Sequence, residues 1–324
     1  MIVVGDIGGT KILAGLFEST GTLVGTQQVA LPQPSHPDQV ARTVMEAWEQ
    51  LTRRYGRNWQ DIQGGSLALP GPVASASGTV WGNAHLGWRN VRVIDVMQQA
   101  GWPAGRPLVV DDDGRLAALG EFHRGGASAV STLVVVSIGT GVGSGVVEAG
   151  HLLQGASGGA GELGHIPVRH SDRLCRCGLV GCVETVVGGA GIADRYRERG
   201  SFRRAVSAQI VLQRAQQGDA LAHEIVCQAG EALAETLVIA VHLWNPDQMI
   251  IAGGLGLAAW PVWGPMWQEA LRHRVLPSHR AALQGVRPTA LAGQAALLGA
   301  YVRWTQRNPR GVLPPRPVGH PNTS

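Results

Sequence analysis

Lysine is nearly missing from this chain: Lys11 stands alone against 26 arginines. That skew reads as a GC-rich coding bias rather than chemistry. Charged residues of all kinds reach only 15%, against 44% hydrophobic residues and 46 glycines to 18 prolines. Such a balance excludes a disordered chain and a coiled coil, and it fits a Gly-rich α/β enzyme. No apolar run approaches the ~20 residues of a membrane span. The alanine-rich stretch near the C-terminus is broken by Gln284, Arg287, Pro288 and Gln294, so a soluble protein with no membrane partner is expected. Met1 to Lys11 has no basic segment leading into an apolar core, so no secretory signal is read and a cytoplasmic location is expected.

Acidic residues are absent from the last 22 positions, which hold Arg303, Arg307, Arg310 and Arg316. Outside these four, 23 basic residues face 23 acidic ones, so the formal +4 charge belongs to the tail and the body is neutral. The tail has no aromatic interleaving beyond Trp304 and no groove-reading helix, which argues against nucleic acid as a partner. At 324 residues the chain is about twice a usual ~150-residue domain, so two domains are expected.

The chain opens as a hairpin, with strands at Ile2–Val4 and Ile12–Phe17 around a Gly-bearing turn. A helix follows, N-capped by Asp38, with Val40, Val44, Trp48 and Leu51 at helical spacing. Ser66–Leu69 and Leu108–Val110 read as buried strands ending in turns, where α/β sheets tend to place functional groups. The opening theme returns at residues 133–147 as strand, Gly turn and strand, with Ile138-Gly139 offset from Ile7-Gly8 by 131 residues. This suggests two α/β halves, 1–115 and 116–306. Residues 207–240 read as largely helical, and Gln248–Ala252 as a strand ending in Gly253-Gly254. A final helix is expected over 290–304, packing back on the N-terminal half. The segment 307–324 reads as a flexible tail; five prolines fall from position 308 onward.

Three groups of residues carry chemistry. Asp6-Ile-Gly-Gly-Thr-Lys11 suits a phosphate-binding hairpin: Gly8 and Gly9 let the backbone approach, Thr10 adds a hydroxyl donor, and Asp6 can hold Mg2+ through water. An ordinary Gly-Gly hairpin is the alternative. The turn at Gly139, Thr140 and Gly141 offers the same donors, and two such turns favour a nucleotide site. His165, Cys175, Cys177 and Cys182 form a Cys3His set matching a closed tetrahedral zinc site, and the one-residue gap between Cys175 and Cys177 disfavours disulfides. Asp111-Asp112-Asp113 follows a buried strand, and capping a helix and taking a proton from a hydroxyl are both open to it.

Asp6-Ile-Gly-Gly-Thr-Lys11, Gly161-Glu-Leu-Gly-His165 and Cys175-Arg-Cys-Gly-Leu-Val-Gly-Cys-Val-Glu184 together resemble the ROK family of bacterial sugar kinases and sugar-responsive repressors, from about residue 2 to 304. The resemblance implies an actin-like ATPase (sugar kinase) fold, two α/β domains around a central cleft closing on a hexose and ATP. It implies that Asp113 is the general base on the sugar 6-hydroxyl, with Mg2+ and a structural Zn2+ as cofactors. Gly71, Asp112, Glu162, His165 and Glu184 match sugar contacts, and either Asn83 or His85 of Asn83-Ala-His-Leu-Gly-Trp88 faces the sugar. Gly253 and Gly254 resemble the turn under adenosine, completing a nucleotide set with Lys11 and the two Gly turns. The family usually reads Asn-Asp-Ala-Asn where this chain has Asp112-Asp-Gly-Arg115, which gains charge and loses an amide donor. Glucokinase activity is expected, with N-acetylmannosamine or N-acetylglucosamine kinase as the alternative. A sugar sensor without kinase activity is the less favoured reading, since only five residues precede the Asp-Ile-Gly-Gly-Thr motif where the repressors carry a winged helix. A homodimer or homotetramer is also implied.

Overall fold

The computed structural model describes residues 1–83, 86–169, 171–200, 206–291 and 293–309. His85, the side chain of Asn83 and the tail from 310 onward lie outside the described residues. The described residues divide into two compact units, one within 1–129, 150–160 and 294–309, the other within 130–149 and 161–293.

In the first unit, β1 (Ile2–Ile7) and β2 (Lys11–Phe17) form the expected antiparallel hairpin, extended by β3 (Leu23–Ala30). Next comes α1 (Pro37–Arg54). It starts one residue before Asp38 because Pro37 is preset for the first helical position; Asp38 sits in the first turn and pairs with Arg42 instead of capping. The apolar stripe Val40, Val44, Trp48 and Leu51 is buried against the sheet. Trp48 is fully buried and donates its indole N–H to the Val4 carbonyl at 2.8 Å, so the large ring is packed without an orphaned donor.

The strand β4 (Gly64–Leu69) pairs parallel with β1. A small antiparallel sheet follows, β5 (Val73–Ala74), β6 (Thr79–Asn83) and β7 (Trp88–Arg92), then α2 (Val93–Gln99). The strand β8 (Leu108–Asp112) pairs parallel with β4 and runs directly into α3 (Asp113–Arg124), completing the order β3-β2-β1-β4-β8. The expected division at Arg115 falls inside α3. A helix is one hydrogen-bonded unit, and the chain leaves the first unit only after Ala129.

The second unit begins with the hairpin β9 (Thr132–Ile138) and β10 (Val142–Glu148). Residues 150–160, with the short β11 (His151–Leu152), count with the first unit. Back in the second unit, the 161–182 loop leads into α4 (Glu184–Val187), α5 (Gly189–Arg199), α6 (Ala208–Gln216) and α7 (Ala220–Trp244). They are followed by β12 (Gln248–Ala252), α8 (Gly254–Arg274), α9 (Pro277–Ala282) and β13 (Val286–Pro288). Within this unit β10, β9, β12 and β13 lie side by side, with β12 parallel to both β9 and β13. By length and composition α7 could cross a membrane, which the sequence reading had excluded for every segment. Two-thirds of its apolar window is buried inside the protein, as in a core helix.

From residue 294 the chain rejoins the first unit as α10 (Ala295–Arg307), which packs along α3. Arg303, read from sequence as part of a basic tail, is only 6% exposed in this helix.

Candidate active site

Strand register decides which groups meet in the first unit. Asp6 on β1 lies beside Ala68 on β4, and Ala68 beside Asp111 on β8, so the carboxyl ends of three parallel strands are level. The Gly8–Thr10 turn, the Pro70–Pro72 turn and the Asp112-Asp113 junction therefore leave the sheet at one end, where open α/β sheets bind ligands. Gly8 donates its N–H to the Lys11 carbonyl at 2.9 Å, closing the first turn, and none of the described residues lies within van der Waals reach of a side chain at Gly9. Burial pushes the Asp6 carboxyl up to about 6, against the opposing charge of Lys11. A carboxyl poised so gains from a cation beside it, and Asp6 is the group here able to hold Mg2+ through water.

The three consecutive aspartates divide the roles that sequence left open. Asp111 is fully buried, and its Oδ1 accepts from Arg115 Nε and Nη2 at 3.0 and 2.6 Å, while its Oδ2 accepts from Arg303 Nε at 2.9 Å. Asp112 is the N-cap of α3, with Oδ1 accepting the Arg115 backbone N–H at 3.0 Å. Burial pushes its carboxyl up, and the Arg115 charge pulls it back down. Asp113 is the first residue of α3, half-buried, at the helix end that favours an anionic side chain.

The second unit repeats the device. Ser137 on β9 is level with Ala252 on β12, so the Gly139–Gly141 turn and Gly253 leave adjacent strand ends. Gly253 has φ +83°, and a Cβ there would overlap the Ile138 carbonyl, so glycine is required where the two turns touch. Gly254 opens α8 with no side-chain cap, leaving the first backbone N–H groups of a 21-residue helix for a ligand. From the other side Gly189 and Ala190 donate to the carbonyls of Gly139 and Thr140, at 2.9 and 3.0 Å.

The same unit gathers the Cys3His set. One donor atom from each of His165, Cys175, Cys177 and Cys182 lies within 4.8 Å of every other. Cys177 and Cys182 sulfurs are 3.7 Å apart, close to the ~3.8 Å edge of a tetrahedron with zinc–sulfur bonds near 2.3 Å. Burial and the neighbouring sulfurs push the Cys175 and Cys182 thiols up, so thiolates form here only with a cation to hold them. The donor set fits zinc. Beside it, Glu184 opens α4 and accepts the Val142 N–H at 3.0 Å, linking the cysteine loop to the start of β10. The Ser144 hydroxyl bridges the Gly161 carbonyl and the Leu163 N–H, fixing the loop that carries the half-buried Glu162 and His165.

Among the expected groups, the structure thus brings Asp6, Gly8, Gly9, Thr10, Lys11, Gly71, Asp112 and Asp113 to one sheet end of the first unit. In the second it groups Gly139, Thr140 and Gly141 with Gly253 and Gly254, and Glu184 with the cysteines. Sequence reasoning missed Arg303. Its signal was a fully apolar strand ending in an aspartate that needed a partner, but the partner comes from 192 residues away.

The family model described as ROK family matches residues 3–307. The chain belongs to the ROK family. A glucokinase from Thermotoga maritima is 28% identical over 313 residues, covering 91% of this chain and 94% of its own. The DNA-binding transcriptional dual regulator NagC of Escherichia coli is 26% identical over 306 residues, covering 92% of this chain and 73% of that one. The crystal structure of a ROK family glucokinase from Streptomyces griseus, in complex with glucose and AMPPNP, superposes with a TM-score of 0.77 at 25% identity, covering 93% of this chain and 98% of that chain. The fold of this ROK protein is therefore the actin-like ATPase fold of sugar kinases, as the sequence motifs implied.

Proposed function

We propose that this ROK protein transfers the γ-phosphoryl group of ATP to the 6-hydroxyl of a hexose, with glucose the favoured substrate. The observation that carries the reading is the level alignment of the Asp6–Lys11 turn, the Gly71 turn and Asp113 at one end of the first sheet. Its support from relatives is the glucokinase from Thermotoga and the glucose- and AMPPNP-bound structure. Phosphoryl transfer asks little covalent chemistry of a protein beyond positioning, charge stabilisation and one base. Asp113 takes the hydroxyl proton as the oxygen attacks phosphorus. Backbone N–H groups of Gly9 and Thr10, with Lys11, hold phosphate oxygens, and Gly8 closes the turn that presents them. The turns at Gly139–Gly141 and Gly253-Gly254 are nucleotide-binding turns of the same kind. Asp6 would hold Mg2+, which would neutralise phosphate charge. On the first unit Gly71, Asp112 and either Asn83 or His85 are the sugar contacts; Glu162, His165 and Glu184 carry the remaining sugar-contact residues of the ROK motif. His165, Cys175, Cys177 and Cys182 would hold a structural zinc, which would fix the imidazole orientation and leave the other ring nitrogen of His165 for a sugar hydroxyl. The protein works in the cytoplasm, where ATP is abundant and thiols stay reduced.

An N-acetylhexosamine kinase is the alternative within the same chemistry. A sensor without turnover is the reading that the NagC relative keeps in view. ADP release with Mg-ATP against glucose, mannose, N-acetylglucosamine and N-acetylmannosamine separates them. Turnover with one sugar names the substrate; sugar binding with no turnover on any of the four makes the protein a sensor.

A further inference from the structure

Arg115 begins the inference, because a guanidinium only 1% exposed one turn into a helix is unusual and must be held by something. Its Nε and Nη2 grip Asp111 Oδ1, and the same Nη2 donates to the Val73 carbonyl at 2.8 Å and lies 3.5 Å from Ser75 Oγ. Val73 and Ser75 belong to the segment that leaves the Gly71 turn. The side chain thus spans from the end of β8 to that segment, while its own backbone N–H is capped by Asp112. Nη1 is buried with no hydrogen-bond partner among the described residues. A side chain placed only for stability would be expected to satisfy that donor, so the arrangement favours the tie to Asp111 and Val73 over full satisfaction.

Two further observations tighten the picture. A Cβ built at Gly71 would overlap Asp112 Oδ2, so the turn rests directly on the capping carboxylate. Asp111, Asp112, Arg115 and Arg303 are each at most 7% exposed, and together they carry two negative and two positive charges. Two adjacent buried carboxylates are tolerable here because Arg115 and Arg303 balance them.

Resting on the sugar-kinase reading, the geometry points to Arg115 as a positioning residue that fixes the Gly71–Ser75 segment against the strand end and helix start bearing Asp112 and Asp113. The base and the turn that meets the sugar are then held in one frame. A displacement of about 1 Å between such groups costs about a hundredfold in rate. Without the fork of Arg115 the segment at 71–75 keeps its sequence but loses its anchor to β8.

The test compares wild type, Arg115→Met and Arg115→Lys by amide hydrogen exchange and by kinetics with sugar and ATP varied separately. In Arg115→Met, exchange across residues 73–77 rises about tenfold or more while residues 116–122 of α3 stay protected. The sugar KM rises by about tenfold and the ATP KM stays within about twofold, a split that general destabilisation does not produce. Arg115→Lys keeps the charge but not the two-pronged geometry, so it recovers folding without recovering the sugar KM. Wild-type exchange at 73–77 in the folded variants, or a rise shared equally by α3, overturns the proposal. If Arg115→Met does not fold, Arg115→Lys alone decides. If the wild type phosphorylates no sugar, the kinase reading fails while exchange still judges the tie; if it turns over and both variants match it, the tie fails and the kinase stands.

Discussion

Asp6 gives a prediction whose size comes from the structure. Its carboxyl is pushed to about 6 in the folded protein, chiefly by burial, against 3.8 for an unperturbed aspartate. Between these two pH values the native state holds a proton that the unfolded chain has released. Stability from this group is therefore fully present below 3.8 and is lost as pH rises through 6. The full shift corresponds to about 3 kcal/mol, and because Asp6 is half-buried rather than sealed we expect about 2 kcal/mol. Asp6→Asn removes the titration and keeps the shape. Urea unfolding of both proteins in nucleotide- and magnesium-free buffer should give equal stabilities near pH 4 and a variant more stable by about 2 kcal/mol at pH 7. The same variant should bind Mg-ATP poorly, as expected when a strained carboxylate serves function at the cost of stability. A stability difference that is flat across that pH range would refute the reasoning.

Three other outcomes follow from the geometry. Arg303→Met leaves Asp111 with Arg115 as its one guanidinium partner among the described residues and should destabilise the first unit by about 3 kcal/mol, read by chemical unfolding; a change within about 0.5 kcal/mol would return Arg303 to the role of a surface tail residue. Cys177→Ser should take zinc content from about one ion per chain to nearly none by elemental analysis, and loosen residues 165–184 to proteolysis. Unchanged zinc would reject that ligand set. Trp48→Ala should cost about 3–5 kcal/mol through the cavity and the lost bond to Val4, seen as a lowered Tm.

The strands of both hairpins, β4, β8 and β12 are legible in the sequence because each is a short apolar run closed by glycine or a polar turn. The edge strand β3, Leu23–Ala30, is not, since Thr26, Gln27 and Gln28 break its apolar pattern in a half-exposed position. Helix α8 also escapes, because Pro261 and Pro265 lie inside it and Gly253–Gly256 reads as a turn. The cysteine cluster is visible from spacing alone, as zinc sites are built from ligands close in sequence. The aspartate triplet was only half legible: that it marked a helix start could be read, but which carboxylate capped, which paired and which stayed near the surface depends on Arg115 folding back and on Arg303 arriving from α10. The division at 115 failed for a related reason, since α3 belongs to the sheet before it and to the last helix of the chain.

The measurement that tests the central claim most directly is hexose 6-phosphate formation by Asp113→Asn beside its sugar affinity. The account predicts that kcat falls by about a thousandfold or more, while sugar binding by calorimetry stays within about threefold, because the base is lost and the hydrogen-bonding outline is kept. Near-normal turnover in that variant would contradict it.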